Sequence, residues 1–407
     1  MTRLLEGCRV VESSMLLNGA VTGMMLVDLG ADVIKVESPA VGDYLRLPET
    51  WHLNRQANRG KRSIAIDLKR PEGREVLYRL LETADVFLTN ALAGKNEKLG
   101  IGYDQLKALK PDIIYCQNTG FGATGPWSGI PTHGQMMDAL AGAMPVRMGD
   151  DGFVVPQAFS RRSGTLAAAG ESTTMGSIYA AFHIAAALAH RARTGEGCYI
   201  DLSSAHAAVA SAWVAAVTQL NRPERLGWWQ NEANLRPVAR YQAYITRDER
   251  FLLFCPEERK SWHQFCDLVG RPELKPEERG EDLRRTLQAI IVTRDLVDWM
   301  ELARVHALPM GPINDGIAQV QEDPQIASRP MFARSTDDFV HVGQPALVDG
   351  KAWIETGPAP EHGEHGDQIL RELGYGDDRI AALAGQGITK AEQPRERIAV
   401  SAIYGDE

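Results

Sequence analysis

Hydrophobic residues in the first 120 positions fall into short β-branched runs separated by longer stretches with helical spacing. The short runs cover residues 8–12, 32–37, 85–90 and 112–117. Residues 71–83 carry apolar side chains three and four positions apart, and Pro71 suits a first helical turn. Strands that alternate with helices are typical of a parallel sheet with crossover helices. The pattern predicts a Rossmann-like α/β domain.

The pattern changes twice further along the chain. Residues 176–193 are apolar and rich in alanine, and a glycine-containing turn then leads to a strand-like run at 198–203. Beyond about residue 221, two strand-like runs at 240–246 and 251–254 precede a helical stretch at 262–269. We therefore expect a large domain over 1–220, a smaller α+β domain over 221–325, and a return to the large domain over 326–407.

Composition narrows the function classes. The 407 residues include 44% hydrophobic and 24% charged residues, enough for a large core. A net charge of −9 and a pI near 5.7 argue against nucleic acid or a membrane surface as partner, because both need a broad basic face. Five scattered cysteines favour free thiols in a reducing compartment. Without a signal-like start or a long apolar run, we expect a cytoplasmic protein.

Two cofactor classes lack their usual motifs. The loop after the first predicted strand, residues 13–23, contains no G-x-G-x-x-G, so the sequence gives no reason to expect NAD. The ten histidines never show a metal-ligand spacing such as H-E-x-x-H, and we expect no metal.

A basic cluster stands out against the acidic background. Arg59, Lys61 and Arg62 lie in a polar loop before the strand-like residues 63–67. Such cations bind phosphate groups through charge-assisted hydrogen bonds. On spacing alone, a solvated surface loop is the more usual explanation for these three cations.

A second candidate site follows the predicted strand at 85–90. Asn90 ends that strand, where open α/β sheets present ligand contacts, and residues 91–94 can offer backbone amides. Lys98 adds a nearby cation. Without further information, a solvent-exposed surface lysine with no ligand is an equally good interpretation of this residue.

Four segments occur together in an order that resembles one known family. They are Asn58-Arg-Gly-Lys-Arg-Ser-Ile-Ala-Ile-Asp67, Thr89-Asn-Ala-Leu-Ala-Gly94 with Lys98-Leu-Gly100, Arg191-Ala-Arg-Thr-Gly-Glu-Gly197, and Gly363-Glu-His365. The order and separations resemble the family III coenzyme A transferases, which include the α-methylacyl-CoA racemases. The likeness extends over essentially the whole chain.

The resemblance implies a substrate site and an assembly. It implies that coenzyme A or an acyl-CoA contacts the following residues: Arg46, Asn58, Lys61, Arg62, Asn90, Ala91, Leu92, Lys98 and Leu99. Family members usually carry Phe and Pro where this chain has Ala91 and Ala93. The resemblance also implies two interlocked subunits, with a homodimer or a heterodimer with a paralogue as alternatives.

The family's nucleophile is an aspartate within a Gly-Asp-Ser-like stretch. The matching stretch here is Gly170-Glu-Ser-Thr-Thr-Met-Gly176, which places Glu171 against that aspartate, while another alignment register places Ser172 there. A carboxylate in this role attacks an acyl-CoA thioester and forms a mixed anhydride. The alternative is that Glu171 only favours the start of the next helix electrostatically.

His133 supports a second hypothesis for the function, a racemase. It falls where the family's racemases carry a catalytic histidine, but Gly134 follows in place of the usual acid. We therefore expect a CoA-transferase, with an α-methylacyl-CoA racemase and an inactive CoA-binding or partner subunit as alternatives. A serine esterase is disfavoured because Thr174 replaces a required glycine. Trp228, Trp229 and the pair Met136-Met137 are candidates for an acyl pocket.

Overall fold

The computed structural model describes residues 3–144, 146–156, 171–221, 239–276, 280–353 and 356–389. The strands are β1 (Arg9–Ser13), β2 (Asp32–Glu37), β3 (Arg62–Ala65), β4 (Val86–Thr89), β5 (Ile114–Thr119), β6 (Val146–Met148), β7 (Val154–Pro156), β8 (Tyr199–Ser203), β9 (Gln242–Ile245), β10 (Phe251–Phe254), β11 (Met310–Ile313), β12 (Phe332–Arg334) and β13 (Val340–Val342). Trp228 and Trp229 lie outside the described residues.

The helices alternate with strands through the first part of the chain. They are α1 (Leu16–Asp28), α2 (Trp51–Ala57), α3 (Pro71–Glu82), α4 (Lys95–Lys98), α5 (Tyr103–Leu109), α6 (Met136–Leu140), α7 (Ser172–Thr194), α8 (Ser204–Ser211), α9 (Trp213–Asn221), α10 (Arg259–Leu268), α11 (Glu281–Ile291), α12 (Leu296–His306), α13 (Ile317–Glu322), α14 (Pro324–Ala327), α15 (Gly366–Glu372) and α16 (Asp377–Gly385).

The described chain divides into two compact units. The first comprises Met1–Met144, Leu166–Trp213 and Arg329–Glu407, and the second comprises Pro145–Thr165 and Val214–Ser328. The described residues 146–156 belong to the second unit, whereas the bounds expected from sequence place them in the large domain. The first unit is therefore built from three separate stretches of chain.

A six-stranded sheet forms the centre of the first unit. Its order is β3-β2-β1-β4-β5-β8, and every neighbouring pair is parallel. Successive residues of a strand face opposite sides, so Val11 packs in a core with α3 and α15 while Val10 packs in another with α1 and α7. Helices thus cover both faces of the sheet, as buried parallel sheets require. The predicted α/β fold with a parallel sheet is confirmed.

The C-terminal segment of the first unit lies against edge strand β3. The backbone N–H of His365 donates to Ser63 O at 2.9 Å, and the N–H of Asp67 donates to Ile388 O at 2.8 Å. These bonds satisfy backbone groups at an otherwise open sheet edge.

The second unit has its own core. Strands β9, β10 and β11 form an antiparallel sheet in the order β11-β10-β9. One face packs against α10, α11 and α12 through Phe254, Trp262, Phe265, Leu287 and Trp299. The hairpin β6–β7 belongs to the same unit.

Candidate functional site

A cavity of about 800 Å³ opens in the first unit at the carboxyl ends of β1 and β4. The sheet order reverses between these two strands, because β2 and β3 extend to one side and β5 and β8 to the other. Such a reversal leaves a crevice that open α/β proteins use for ligands. Ser13 and Ser14 line the cavity from the β1 side, and Asn90 lines it from the β4 side. The volume suits a small-molecule site.

Five of the residues expected at the site lie on the wall of this cavity. Asn90, Ala91, Leu92 and Leu99 belong to the loop after β4 and to the end of α4, and His133 belongs to the loop before α6. Met137, from the methionine pair expected at an acyl pocket, also lines the wall. The sheet and the loops thus bring together residues that are far apart in sequence.

Buried and partly buried hydrogen bonds hold the loop after β4 in place. Thr89 Oγ1 accepts from Ala91 N at 3.2 Å and from Asn96 Nδ2 at 3.2 Å. Gln117 Nε2 donates to Ala91 O at 2.8 Å, and Tyr199 Oη donates to Gln117 Oε1 at 2.7 Å. Side chains from the neighbouring strands β4 and β5 therefore hold the loop backbone. Such preorganisation lowers the entropic cost of binding.

The basic cluster before β3 is paired internally with acids. Arg59 is fully buried. Its Nε donates to Asp28 Oδ1 at 3.1 Å, and its Nη2 donates to Asp28 Oδ2 at 2.6 Å. Arg62 makes the same kind of double contact with Asp32, at 2.9 and 2.6 Å, and also contacts Glu372. Neither arginine lies on the described cavity wall. In this structure both arginines neutralise acids of the first unit.

Lys61 lies in a buried network that also includes Asp43, a residue of the cavity wall. Its Nζ contacts Glu12 Oε2 at 2.7 Å and Asn58 Oδ1 at 2.9 Å, and Asn58 is itself fully buried. Lys35 Nζ contacts the other Glu12 oxygen at 3.0 Å and Asp43 Oδ2 at 2.9 Å. Two lysines and two acids thus balance one another out of contact with water.

The pKa values of Glu12, Lys61 and Lys35 shift in different directions, because each group has a different set of charged neighbours. Burial raises the pKa of Glu12, but the charges of Lys35 and Lys61 outweigh it and hold that pKa at about 2. Burial lowers the pKa of Lys61 to about 8, with Lys35 adding to the effect and Glu12 opposing it. Lys35 has two acids close by, so its pKa is raised despite burial. Glu12 therefore remains ionised at any pH well above 2.

Arg46 is also engaged with an acid. It bonds Glu37 through two nitrogens, at 2.8 and 2.7 Å, and donates to Pro360 O at 2.9 Å. Burial alone would raise the pKa of Glu37, but the hydrogen bonds and charge of Arg46 hold it at about 2. Glu37 lines the cavity, whereas Arg46 is not part of the described wall.

Two lysines that the sequence argument passed over do line the cavity. Lys69 follows the carboxyl end of β3, and Lys95 begins α4 after Gly94, whose φ is +77°. Lys98, at the other end of α4, is exposed and is not part of the described wall. The strand-end rule that singled out Asn90 applies to Lys69 as well.

The start of α7 borders the same cavity. Thr173 lines the wall, whereas Glu171 is exposed just before the helix and Ser172 is fully buried. Ser172 Oγ donates to Asp138 Oδ1 at 2.6 Å. The sequence offered no signal for Asp138, because α6 is a single short helix with no distinctive motif.

The described part of the chain shows no metal-binding group of three or more His, Cys, Asp or Glu side chains. Among the same residues, we find no helix with the length and hydrophobicity needed to cross a membrane.

Comparison with known proteins agrees with the geometry. Residues 5–366 match the model of CoA-transferase family III. The chain is 31% identical to succinate–glutarate CoA-transferase of Agrobacterium fabrum, over 91% of this chain and 95% of that protein, and 30% identical to human succinyl-CoA:glutarate CoA-transferase, over 94% and 89%. It is similar to a CAIB/BAIF family protein from Brucella suis, with 29% identity, a TM-score of 0.70, and coverage of 92% and 100%. The resemblance inferred from the four segments is thus confirmed. The chain belongs to CoA-transferase family III and is an enzyme of the CoA-transferase class.

Proposed function

We propose that this enzyme moves CoA from an acyl-CoA to a short dicarboxylic acid. The relatives named above act on succinate and glutarate, and another, from Acetobacter aceti, is an acetyl-CoA:oxalate CoA-transferase with 28% identity. The observation that carries the proposal is the cavity at the sheet reversal. It joins the preorganised loop after β4, two lysines and the start of α7.

The loop after β4 is the proposed seat of the CoA moiety. Its backbone is held in place by Thr89 and Gln117. Lys69 and Lys95 lie on the same wall and supply charge for phosphate groups. Of the cations expected from sequence, Arg46, Lys61 and Arg62 have buried or partly buried acidic partners. We assign these three to holding the shape of the site.

Glu171 is the proposed nucleophile. Its carboxylate attacks the thioester carbonyl carbon, the carbon–sulfur bond breaks, and CoA leaves as the thiolate while a mixed anhydride forms. The thiolate then attacks the glutamyl carbonyl, which releases the donor acid and leaves a glutamyl thioester. The acceptor carboxylate repeats these two steps in reverse, so the acceptor leaves as its CoA thioester and Glu171 is regenerated. No oxidant or further reactant is needed.

The racemase alternative rests on His133, which lines the cavity. A racemase needs acid/base groups on both faces of the substrate α-carbon. Incubating the enzyme with an α-methylacyl-CoA in deuterium oxide separates the two reactions. Deuterium incorporation at the α-carbon would favour the racemase, and its absence with CoA transfer intact favours the transferase.

An interlocked homodimer is the proposed assembly. The strongly exposed apolar side chains of the first unit include Phe182 at 64%, Trp213 at 62% and Ile178 at 42%. Exposed apolar residues of this size on helices α7 and α9 are typical of subunit interfaces. Light scattering measures the mass of the assembly, which should be that of two chains. Mixing the protein with a tagged copy tests whether the subunits are interlocked, since interlocked subunits exchange only after unfolding.

The decisive experiment traps the intermediate. Purified protein is incubated with succinyl-CoA, acetyl-CoA or glutaryl-CoA and hydroxylamine, and the intact mass and modified peptide are determined. A hydroxamate on Glu171 in the wild type and in Glu82→Gln, an exposed control, but not in Glu171→Gln, supports the proposal. Absence of any adduct and of transfer, with CoA still bound, would instead favour an inactive family member or partner subunit.

A further inference from the structure

Helix α7 is stabilised at its start by a residue from another element. The helix spans 23 residues, its first turn contains no acid, and the side chain of the preceding residue, Glu171, makes no capping hydrogen bond. The N-terminus of a helix carries about half a positive charge and several unpaired N–H groups. These groups need an acceptor that the helix does not itself provide.

Asp138 on α6 provides that acceptor. Its Oδ1 accepts from the backbone N–H of Ser172 at 3.1 Å and from Ser172 Oγ at 2.6 Å. Asp138 is 1% exposed and Ser172 is 0% exposed, so water does not compete for these bonds. Hydrogen bonds to a carboxylate in such a setting are stronger and more directional than bonds between neutral groups.

The same contact joins two parts of the cavity wall. On one side of it, His133 and Met137 line the cavity, and His133 O accepts from Met136 N at 3.0 Å. On the other side, Thr173 lines the cavity directly after Ser172. The bond between Asp138 and Ser172 therefore fixes the segment that carries His133 to the start of the helix that follows Glu171.

We infer that Asp138 is a positioning residue for CoA transfer, holding the first turn of α7 so that Glu171 is presented at the edge of the cavity. This role rests on the proposed function. Asp138 does not itself contact substrate, because it is buried and is not part of the described cavity wall. Its effect on rate comes through geometry, since a displacement of about 1 Å at a reacting group costs on the order of 100-fold in rate.

The test compares variants of Asp138 with a matched control. Asp28 is also a buried acid of the first unit, bonded to Arg59 and to Trp353 Nε1, and it is not part of the described cavity wall. At a temperature where all variants are folded, we expect Asp138→Asn to lower kcat about 10-fold and Asp138→Ala about 100-fold. The KM for acyl-CoA changes less than about twofold in both, and Asp28→Asn leaves kcat within about twofold.

Two further measurements separate positioning from general damage. Ser172→Ala should lower kcat only a few-fold and add nothing to Asp138→Ala, because it removes one of the two hydrogen bonds that Asp138→Ala removes. Hydrogen exchange of peptides from the start of α7 should speed up in Asp138→Ala but not in Asp28→Asn.

The outcomes distinguish the two claims. An active wild type in which Asp138→Ala and Asp28→Asn have equal kcat, or in which exchange at the start of α7 is unchanged, overturns the role of Asp138 and leaves the transferase standing. A wild type that gives neither CoA transfer nor an adduct on Glu171 ends the proposed function, and the catalytic role of Asp138 with it.

Discussion

Asn90 holds the backbone of Met15 through both of its side-chain polar atoms. Its Oδ1 accepts from Met15 N at 3.1 Å, and its Nδ2 donates to Met15 O at 2.6 Å. Met15 follows β1 and Asn90 follows β4, so these bonds tie together the two loops on either side of the sheet reversal. Both residues line the cavity. The Asn90 side chain thus connects the loop after β1 to the loop after β4, one on each side of the crevice.

Replacing Asn90 should weaken both CoA binding and the stability of the first unit. Asn90→Ala removes two solvent-exposed hydrogen bonds, each worth about 1 kcal/mol, and lets the two loops separate. We expect the Kd for CoA, measured by calorimetry, to rise about 10-fold. Asn90→Asp is the matched control, because it keeps the acceptor for Met15 N but repels Met15 O, and it should fall in between. If Asn90→Ala binds CoA with wild-type affinity, the connection between the two loops does not contribute to CoA binding.

The two lysines of α4 should differ in their effect on CoA. Lys95 lines the cavity and Lys98 does not, although only three positions separate them. Lys95→Ala should weaken CoA binding about 10-fold at low salt and by less at high salt, since an exposed charge is screened over about 10 Å at 0.1 M. Lys98→Ala should change it less than twofold. If Lys98→Ala has the larger effect, the sequence-based assignment of Lys98 is right and the assignment of Lys95 is wrong.

Acid should destabilise the first unit through Glu12. Its pKa in the folded protein is about 2, below the ordinary value of 4.5, so the unfolded state binds the proton more readily between these values. The stabilisation is present above pH 4.5 and is lost as the pH falls towards 2. Its size is on the order of 3 kcal/mol.

Chemical denaturation at a series of pH values checks this prediction. Glu12→Gln should be less stable at neutral pH, because Lys35 and Lys61 lose their shared anion, and its stability should fall less steeply between pH 4.5 and 2. The exposed control Glu82→Gln should follow the wild type. An unchanged slope in Glu12→Gln would exclude Glu12 as the source.

Gly94 should be sensitive to substitution because of its backbone conformation alone. Its φ is +77°, and an added Cβ would meet nothing within 4 Å. Gly94→Ala should therefore cost about 1 kcal/mol through strain rather than through a clash. Gly129 is the control, since it has the same open surroundings without a positive φ, and Gly129→Ala should be near neutral. Equal unfolding free energies for the two variants would contradict this account.

The central sheet could be predicted because its strands are short β-branched runs with clear boundaries. The strand Asp32–Glu37 matches its predicted range, and α3 begins at Pro71 as its sequence indicates. Helix α7 begins at Ser172, earlier than the predicted 176, because its first turn is polar and is anchored by Asp138, 34 positions away. Hydrophobic spacing carries no information about such a distant partner.

The site was harder to predict for the same reason. The motif around Lys61 and Arg62 is visible in the sequence, but their acidic partners lie far along the chain, with Glu372 310 positions from Arg62. Residue type alone does not distinguish a lysine that faces a ligand from one that neutralises a buried acid. The position of Lys69 after a strand was a usable signal, because strand ends meet at one edge of a parallel sheet.

The contact of the C-terminal segment with β3 has a consequence for biosynthesis. Ser63 bonds His365 and Asp67 bonds Ile388, so the sheet edge formed by residues 62–65 stays unpaired on that side until residues 365–388 have left the ribosome. The core of the second unit draws its large side chains from residues 239–308, a nearly continuous stretch, and can form while synthesis continues. A ribosome that stalls or terminates early therefore releases a chain with an exposed strand, which makes premature products candidates for aggregation and for chaperone capture.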